Sequence, residues 1–341
     1  MAAQPAKSTV LTQLLQARSG LIVHQALYAA AKLRVADLLE RGVNTSAKLA
    51  SELKVNEDAL YRLLRALASQ GIFEETGPRT FKNSGLSRYL LTDEPESIRP
   101  ALLYWGTDFY YRSFGEILHS IETGEPATTK LFGKSDWEHM RQHPELASIF
   151  DDAMTNISAM QAPAIAAAYD FGAWESLMDI GGGNGILLSH ILRTHKNLRG
   201  VLADQPHVLE RARKRGFLDV EFAARTAMQP CDFFHEVPSG CRAYLMKNVI
   251  HDWDDGRACE ILLNCRRAVP PDGVLLLVEW GLSDANLPST GKLTDLVMLV
   301  LTGGKERTTE EYRELLAKGG FRLNKVVPTA AEFAIIEAIP V

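Results

Sequence analysis

Residues 177–185, Leu177-Met178-Asp179-Ile180-Gly181-Gly182-Gly183-Asn184-Gly185, constrain this chain more than any other stretch. The apolar run ending in the acid predicts a buried parallel strand. The glycines predict a turn, and residues 186–192 resume at helical spacing. Strand, glycine-rich turn and helix in that order suit a doubly wound α/β sheet whose backbone approaches a nucleotide-like ligand, because glycine places no Cβ in its way. A glycine-rich turn by itself also serves as a plain tight loop. Three details narrow the reading. Ile186 stands where a dinucleotide fingerprint needs its third glycine, and no lysine follows the glycines as in a phosphate-cradling loop. The next apolar run, residues 198–203, ends on Asp204, where an acid accepts hydrogen bonds from ribose hydroxyls. A nucleoside without phosphates is the expected ligand.

The 341 residues leave room for two domains, and a 46% hydrophobic content supports a core. A net charge of −5 argues mildly against a nucleic-acid protein, although a local basic face can hide in that total. Residues 1–7 lack the apolar core of a signal peptide, and no stretch approaches the roughly 18 uninterrupted apolar residues of a membrane span. Cys231, Cys241, Cys259 and Cys265 form no close pair of metal-ligand spacing. A cytoplasmic protein with reduced thiols and no membrane partner is expected.

The first hundred residues read as mostly helical. Leu11, Leu14, Leu15, Leu21, Ile22, Leu27 and Tyr28 recur at helical spacing, and the helix is expected to continue through residues 29–39 and stop near Gly42. Residues 45–50 open a short helix, residues 56–60 another that runs to Leu67, and residues 71–75 with 79–81 suit a two-stranded wing. Helix, turn, helix and wing is a winged-helix order that often binds DNA. The second of these helices offers phosphate only Arg62 and Arg65, however, and its apolar positions suit packing on both sides. Self-association through this Leu- and Ala-rich segment is the stronger expectation. The aromatic cluster around residues 104–111, with Phe132, Trp137, Phe150 and Met154, reads either as interdomain core or as the lining of a pocket for a flat apolar substrate.

The second half continues the sheet. Residues 220–222 are expected to form a third short strand. Asp232 followed by Phe233 either bonds an adenine amino group and covers its ring, or packs a loop. Lys247 ends the strand of residues 243–247, and His251 follows four residues on. The buried strand of residues 273–279 ends on Glu279. Glu306 lies in Gly303-Gly304-Lys305-Glu306-Arg307-Thr308, just before another helix. Strand ends of one sheet converge, so Glu279 can reach His251. Alone, His251 would read as a capping histidine beside the acidic helix start at Asp252, Asp254 and Asp255. The two carboxylates and the glycine turn together favour a catalytic reading.

With these motifs the chain resembles the metal-independent, S-adenosylmethionine-dependent O-methyltransferases of small molecules, a family that includes plant caffeate and flavonoid enzymes, acetylserotonin methyltransferase and bacterial phenazine and polyketide enzymes. The likeness covers nearly the whole chain. It rests on Asp179 through Gly185, Lys247 through His251-Asp252-Trp253, Glu279, and Gly303 through Thr308. It implies a Rossmann-like, doubly wound class I methyltransferase sheet preceded by a mostly helical, winged-helix-like dimerisation domain. The expected divisions are residues 1–100 for dimerisation, 101–165 as a helical linker lining the substrate pocket, and 166–341 for cofactor binding and methyl transfer. S-adenosylmethionine, leaving as S-adenosylhomocysteine, is expected on Asp179, Gly181, Gly183, Asp204, Gln205, Asp232, Phe233 and Lys247. Met154 and Met298 are implied as clamps on an acceptor ring, with Asp252, Trp253, Phe150 and Thr302 also on the acceptor side. Two departures stand out. Leu301-Thr302, with one residue fewer, replaces the Asn-Pro that plant members place before the last motif, and Phe233 occupies a position often held by methionine.

The implied catalytic set is His251 as general base with Glu279 and Glu306, and no metal. A sulfonium methyl is already electrophilic, so the protein must supply a deprotonated oxygen in line with it. A phenol near pKa 10 exceeds an ordinary histidine by about 3.5 units, about 5 kcal/mol. Carboxylates that fix the imidazole tautomer and stabilise the imidazolium narrow this gap. The favoured reading is methyl transfer to a hydroxyl of a small phenolic, flavonoid or polyketide-like acceptor by a homodimer that binds no nucleic acid. The alternatives are a cofactor-binding relative diverted to another reaction, and a winged-helix transcriptional regulator.

Overall fold

Helix caps organise the N-terminal part of the computed structural model, which describes residues 7–218, 221–282 and 286–341, without the side chains of residues 7–14 and 16. The side chains of Leu11 and Leu14, and all of Val220, therefore lie outside the described residues. The chain divides into two compact units, Met1–Tyr111 with Ser148–Asn156, and Arg112–Ala147 with Ile157–Val341.

In the first unit, α1 (Lys7–Lys32) and α2 (Val35–Glu40) replace the single helix expected up to Gly42. Arg34 takes a left-handed conformation, φ 56°, and breaks the ladder. The break lets Ala30 and Ala31 on one side, and Val35 and Leu38 on the other, enter the same core. Thr45 and Asn56 then cap α3 (Ser46–Leu53) and α4 (Glu57–Ala68) by accepting from the N–H groups of Lys48 and Ala59. An antiparallel hairpin follows, β1 (Phe73–Gly77) and β2 (Thr80–Asn83). Leu49, Leu60, Leu64, Leu67, Phe73 and Phe81 close the core. The hairpin is pinned to α4 by Arg79, whose guanidinium lies 4.3 Å from the Tyr61 ring centroid and bonds Asp58. The short helix α5 (Arg99–Trp105) completes this run. The helices α6 (Asp108–Gly115), α7 (Ile117–Thr123), α8 (Ala127–Phe132), α9 (Asp136–Gln142) and α10 (Pro144–Ala168) follow, and α10 contributes residues to both units.

The second unit is a seven-stranded α/β sheet. Its strands, in chain order, are β3 (Ser176–Ile180), β4 (Arg199–Asp204), β5 (Thr226–Pro230), β6 (Ala243–Lys247), β7 (Val274–Trp280), β8 (Phe321–Pro328) and β9 (Phe333–Pro340). They are arranged β5-β4-β3-β6-β7-β9-β8, and only β9 runs against its neighbours. Between strands stand α11 (Ile186–Thr194), α12 (Pro206–Arg215), α13 (Asp255–Ala268), α14 (Thr290–Leu301) and α15 (Thr309–Lys318). The alternation of side chains shows why the central strands are apolar throughout. Met178, Tyr244, Met246, Leu275 and Leu277 enter one core cluster, while Leu177, Ala243, Leu245, Leu276 and Val278 enter another. A parallel sheet covered on both faces leaves no solvent side for polar alternation.

The third strand is Thr226–Pro230 and takes in neither Glu221 nor Phe222 of the stretch expected to form it. Phe222 is buried, but it fills the core from a turn. The guanidinium of Arg225 then pins this connection by donating to the carbonyls of Leu192, His195 and Leu198. Strand order reverses at β3, between β4 and β6, so the ends of these strands open a crevice at a topological switch point.

Candidate active site

At that switch point Gly181, Gly183 and Gly185 adopt φ of 67°, 59° and 79°, which turns the chain sharply from β3 into α11. A Cβ on Gly181 would meet Val249 at 3.0 Å, whereas one on Gly183 would stand in open space. Asp204, at the end of β4, accepts from the N–H groups of Gly183 at 2.9 Å and Gln205 at 2.7 Å. Asp179 is buried with Oδ2 lacking a hydrogen-bond partner. Burial, then the charge of Asp204, pushes it up to about 7. Lys247 lies 3.3 Å from the Ser158 hydroxyl and 5.1 Å from the Phe333 ring centroid. Burial lowers it to about 8 against the pull of Glu279 and Asp179. The Asp232 carboxylate closes its own loop, accepting from Phe234 N–H at 3.1 Å and contacting His235 Nδ1 at 2.8 Å. Phe233 packs near Phe234 and Trp253.

One strand further along the sheet stands the second cluster. A 3-10 turn, Ile250–Asp252, carries His251. Its Nδ1 is 2.6 Å from Glu306 Oε1 and 3.8 Å from Glu279 Oε2, whereas Nε2 is 3.6 Å from Asp252 Oδ1. Glu279 Oε1 accepts from the N–H of Ile250 at 3.1 Å, which fixes the start of the turn. The N–H of Glu306 donates to Asp295 Oδ1 at 2.8 Å. His251, Glu279 and Glu306 are all buried. Burial pushes Glu279 up to about 7, Glu306 to about 8 and Asp252 to about 8. Ligand atoms of His251, Glu279 and Glu306 lie within 4.8 Å of one another, a set able to take a cation as well as a proton.

The structure thus brings His251, Glu279, Glu306 and Asp252 together. Trp253 stacks edge-on against Phe234 with centroids 4.7 Å apart. The Thr302 hydroxyl donates to the Met298 carbonyl at 3.1 Å at the end of α14. Phe150 and Met154 belong to the part of α10 in the first unit, where Phe150 meets Tyr104 edge-to-face at 5.2 Å. Sequence reasoning missed Asp136, buried at the start of α9 and pushed up to about 7, whose charge raises Asp252. Gly304 and Arg307 carry no task that the sequence alone reveals. A Cβ on Gly304 would lie 2.0 Å from the carbonyl oxygen of His251, and Arg307 is wholly buried beneath the same turn.

The raised carboxyls have a consequence for stability. With folded values near 7 and 8 and unfolded values near 4.5, the native state holds more protons than the unfolded chain between these limits. Stability contributed by Glu279 and Glu306 therefore falls as pH rises from about 4.5 to about 8. Glu306→Gln is expected to flatten this part of the pH–Tm curve, which thermal melts from pH 5.5 to 8.5 would measure. An unchanged slope in Glu306→Gln would contradict the assignment.

A mainly parallel sheet in the order found here, with the glycine turn at its switch point, defines a class I methyltransferase fold. The chain matches the O-methyltransferase domain family over residues 114–322 and the O-methyltransferase dimerisation domain over residues 15–93. It belongs to the O-methyltransferase family, S-adenosylmethionine-dependent enzymes of the phenazine and polyketide type. The phenazine O-methyltransferase of Lysobacter antibioticus is 42% identical over 328 residues, 96% of each chain. Among solved structures, a dimethyltransferase of 8-amino-8-demethyl-D-riboflavin from Streptomyces davawensis aligns with a TM-score of 0.83 at 32% identity, covering 97% of this chain and 99% of that one. An O-methyltransferase from neocarzinostatin biosynthesis, in complex with S-adenosylhomocysteine and 1,4-dihydroxy-2-naphthoic acid, aligns with a TM-score of 0.81 at 34% identity, covering 96% and 98%. The doubly wound fold expectation holds, and the segment whose helix, turn, helix and wing order suits DNA binding matches a dimerisation domain. Among the described residues, no helix is long and apolar enough to cross a membrane.

Proposed function

We propose that this protein transfers the methyl group of S-adenosylmethionine to a hydroxyl of a small planar aromatic acceptor, with His251 as general base. The observation that carries the proposal is the 2.6 Å contact between His251 Nδ1 and Glu306. With Nδ1–H donating to that carboxylate, the Nε2 lone pair is the one left to take a proton. Burial holds Glu279, 3.8 Å away, and Glu306 up to about 7 and 8, so both oppose the positive charge that arises on the ring most fully where they have ionised, towards pH 8 and above. Burial of all three groups strengthens that attraction and keeps water from competing for the proton. Asp252 Oδ1, 3.6 Å from Nε2, is placed to meet a substituent on the acceptor. Met154 and Met298 are assigned to the ring faces, with Phe150, Trp253 and Thr302 on the acceptor side.

The residues at the glycine turn fit the cofactor. Gly181 leaves a space that a Cβ would close against Val249, Asp179 keeps an oxygen without a partner, and Asp204 holds the turn while retaining lone pairs for ribose hydroxyls. Gly183, Gln205, Asp232, Phe233 and Lys247 complete the proposed cofactor set. The bound sulfonium supplies a methyl group that needs no further activation. A homodimer through the N-terminal segment is supported by the dimerisation-domain match and by Leu15, Leu21 and Ile22, which are more than half exposed on α1. A cytoplasmic setting is supported by the cysteines, all of them free thiols.

Two measurements test this reading. Asp204→Ala removes the acceptor of two backbone N–H groups as well as the proposed ribose contact. Its S-adenosylmethionine Kd is expected to rise about 10- to 100-fold by calorimetry, the loss of one or two charge-assisted hydrogen bonds. A native Kd would contradict the assigned role. Turnover on paired hydroxyl and amino forms of phenazines and naphthoates tests the acceptor atom: preference for the hydroxyl form supports the proposal, and preference for the amino form moves it to nitrogen.

A further inference from the structure

Arg307 has side-chain atoms wholly withdrawn from solvent, and each of its nitrogens is used. Nε and Nη2 donate to Asp255 Oδ1 at 3.0 and 2.9 Å. Nη2 also reaches the carbonyl of Trp253 at 2.8 Å, and Nη1 reaches those of Ile250 and Lys305, each at 3.2 Å. Ile250 and Trp253 bracket His251-Asp252, while Lys305 precedes Glu306. One planar fork therefore grips the backbone on both sides of the histidine and, at the same time, the loop that brings its carboxylate. Gly304 packs against the same junction, since a Cβ on it would lie 2.0 Å from the His251 carbonyl oxygen. The guanidinium carbon lies 6.0 Å from the Tyr312 ring centroid, so α15 backs it.

We propose that Arg307 is a positioning residue for methyl transfer: its fork registers the Glu306 loop on the His251 turn and thereby sets the contact between base and carboxylate. The proposal rests on His251 being the base. Charge is not sufficient for the task. Lysine could place one ammonium near Asp255, but it has no planar array of donors to hold the Ile250, Trp253 and Lys305 carbonyls together. The positive charge contributes separately, since it lowers the proton affinity of both Glu279 and Glu306.

Arg307→Lys, Arg307→Ala and His251→Ala are compared with the native enzyme for kcat, acceptor KM, cofactor Kd, thermal unfolding and pH–rate profile. Arg307→Lys is expected to lose about 10- to 100-fold in kcat, the cost of misplacing a catalytic contact, with KM and Kd within about threefold. Its pH–rate profile is expected to change along with kcat, because the contact displaced is the one between base and carboxyl group. Guanidinium ion at non-denaturing concentration is expected to restore part of the kcat of Arg307→Ala, and ammonium is not. The proposal is overturned if Arg307→Lys keeps native kcat and pH profile, if kcat and cofactor affinity fall together, or if Arg307→Lys no longer unfolds cooperatively. Near-native turnover by His251→Ala would remove the base reading itself, whereas its loss beside a native Arg307→Lys would remove only this inference.

Discussion

His251→Ala is expected to reduce kcat by about 10²- to 10⁴-fold, the range that a positioned general base contributes, while cofactor Kd stays within about threefold of native. The expectation follows from where the ring's two nitrogens point. Nδ1 is committed to Glu306, so deleting the ring removes the proton acceptor and strands two buried carboxylates. The cofactor's proposed contacts lie instead on the glycine turn, Asp204 and Lys247. The effect should therefore fall on kcat and not on cofactor binding. Stopped-flow or single-turnover assays with saturating cofactor would separate the two. Retention of more than about a tenth of native kcat would be incompatible with so large a share of the barrier belonging to one base.

Gly304→Ala should be nearly as damaging although it adds one methyl group. The new Cβ would sit 2.0 Å from the His251 carbonyl oxygen, 2.4 Å from the Asp252 carbonyl carbon and 2.7 Å from the Trp253 nitrogen. All three are backbone atoms, so no rotamer change relieves the overlap. Either the Glu306 loop or the His251 turn must shift, and a displacement near 1 Å costs about 10²-fold in rate. Overpacking of this kind also costs about 1–3 kcal/mol of stability. The expected result is a loss of about 100-fold in kcat, together with a lower Tm. Gly85→Ala is the control: its Cβ meets nothing within 4 Å and its φ is not positive, so near-native behaviour is expected. Equal kcat in both variants would mean that the two loops are not held in register.

How far these features were legible in the sequence varies with the range of the physics involved. The β3–turn–α11 unit announced itself because apolar runs, glycines and helical spacing are local signals. Glu279 was legible too, since a carboxylate ending a buried strand has few places to go but the sheet's open edge. The break at Leu33 and Arg34 was not, because residues 29–32 are strong helix formers and only the shared core favours the left-handed turn. The third strand was missed for a related reason. Residues 220–222 have better β propensity than Thr-Ala-Met-Gln-Pro, which becomes a strand by pairing beside β4 at the sheet's edge. The burial of Arg307 and Asp136 was least legible: both residue types are ordinarily exposed, and Arg307 is withdrawn from water by bonds to the distant Ile250 and Trp253 carbonyls that no local pattern announces.

Proton removal by His251 beside Glu279 and Glu306, as proposed, needs no metal, even though the same three side chains could hold a cation. The most direct test follows labelled methyl from S-adenosylmethionine onto dihydroxynaphthoate and hydroxyphenazine acceptors, with and without EDTA, the product oxygen being located by mass spectrometry. A labelled methyl ether is expected to form at the same rate in both conditions. Loss of transfer in EDTA that returns with an added divalent cation would contradict it.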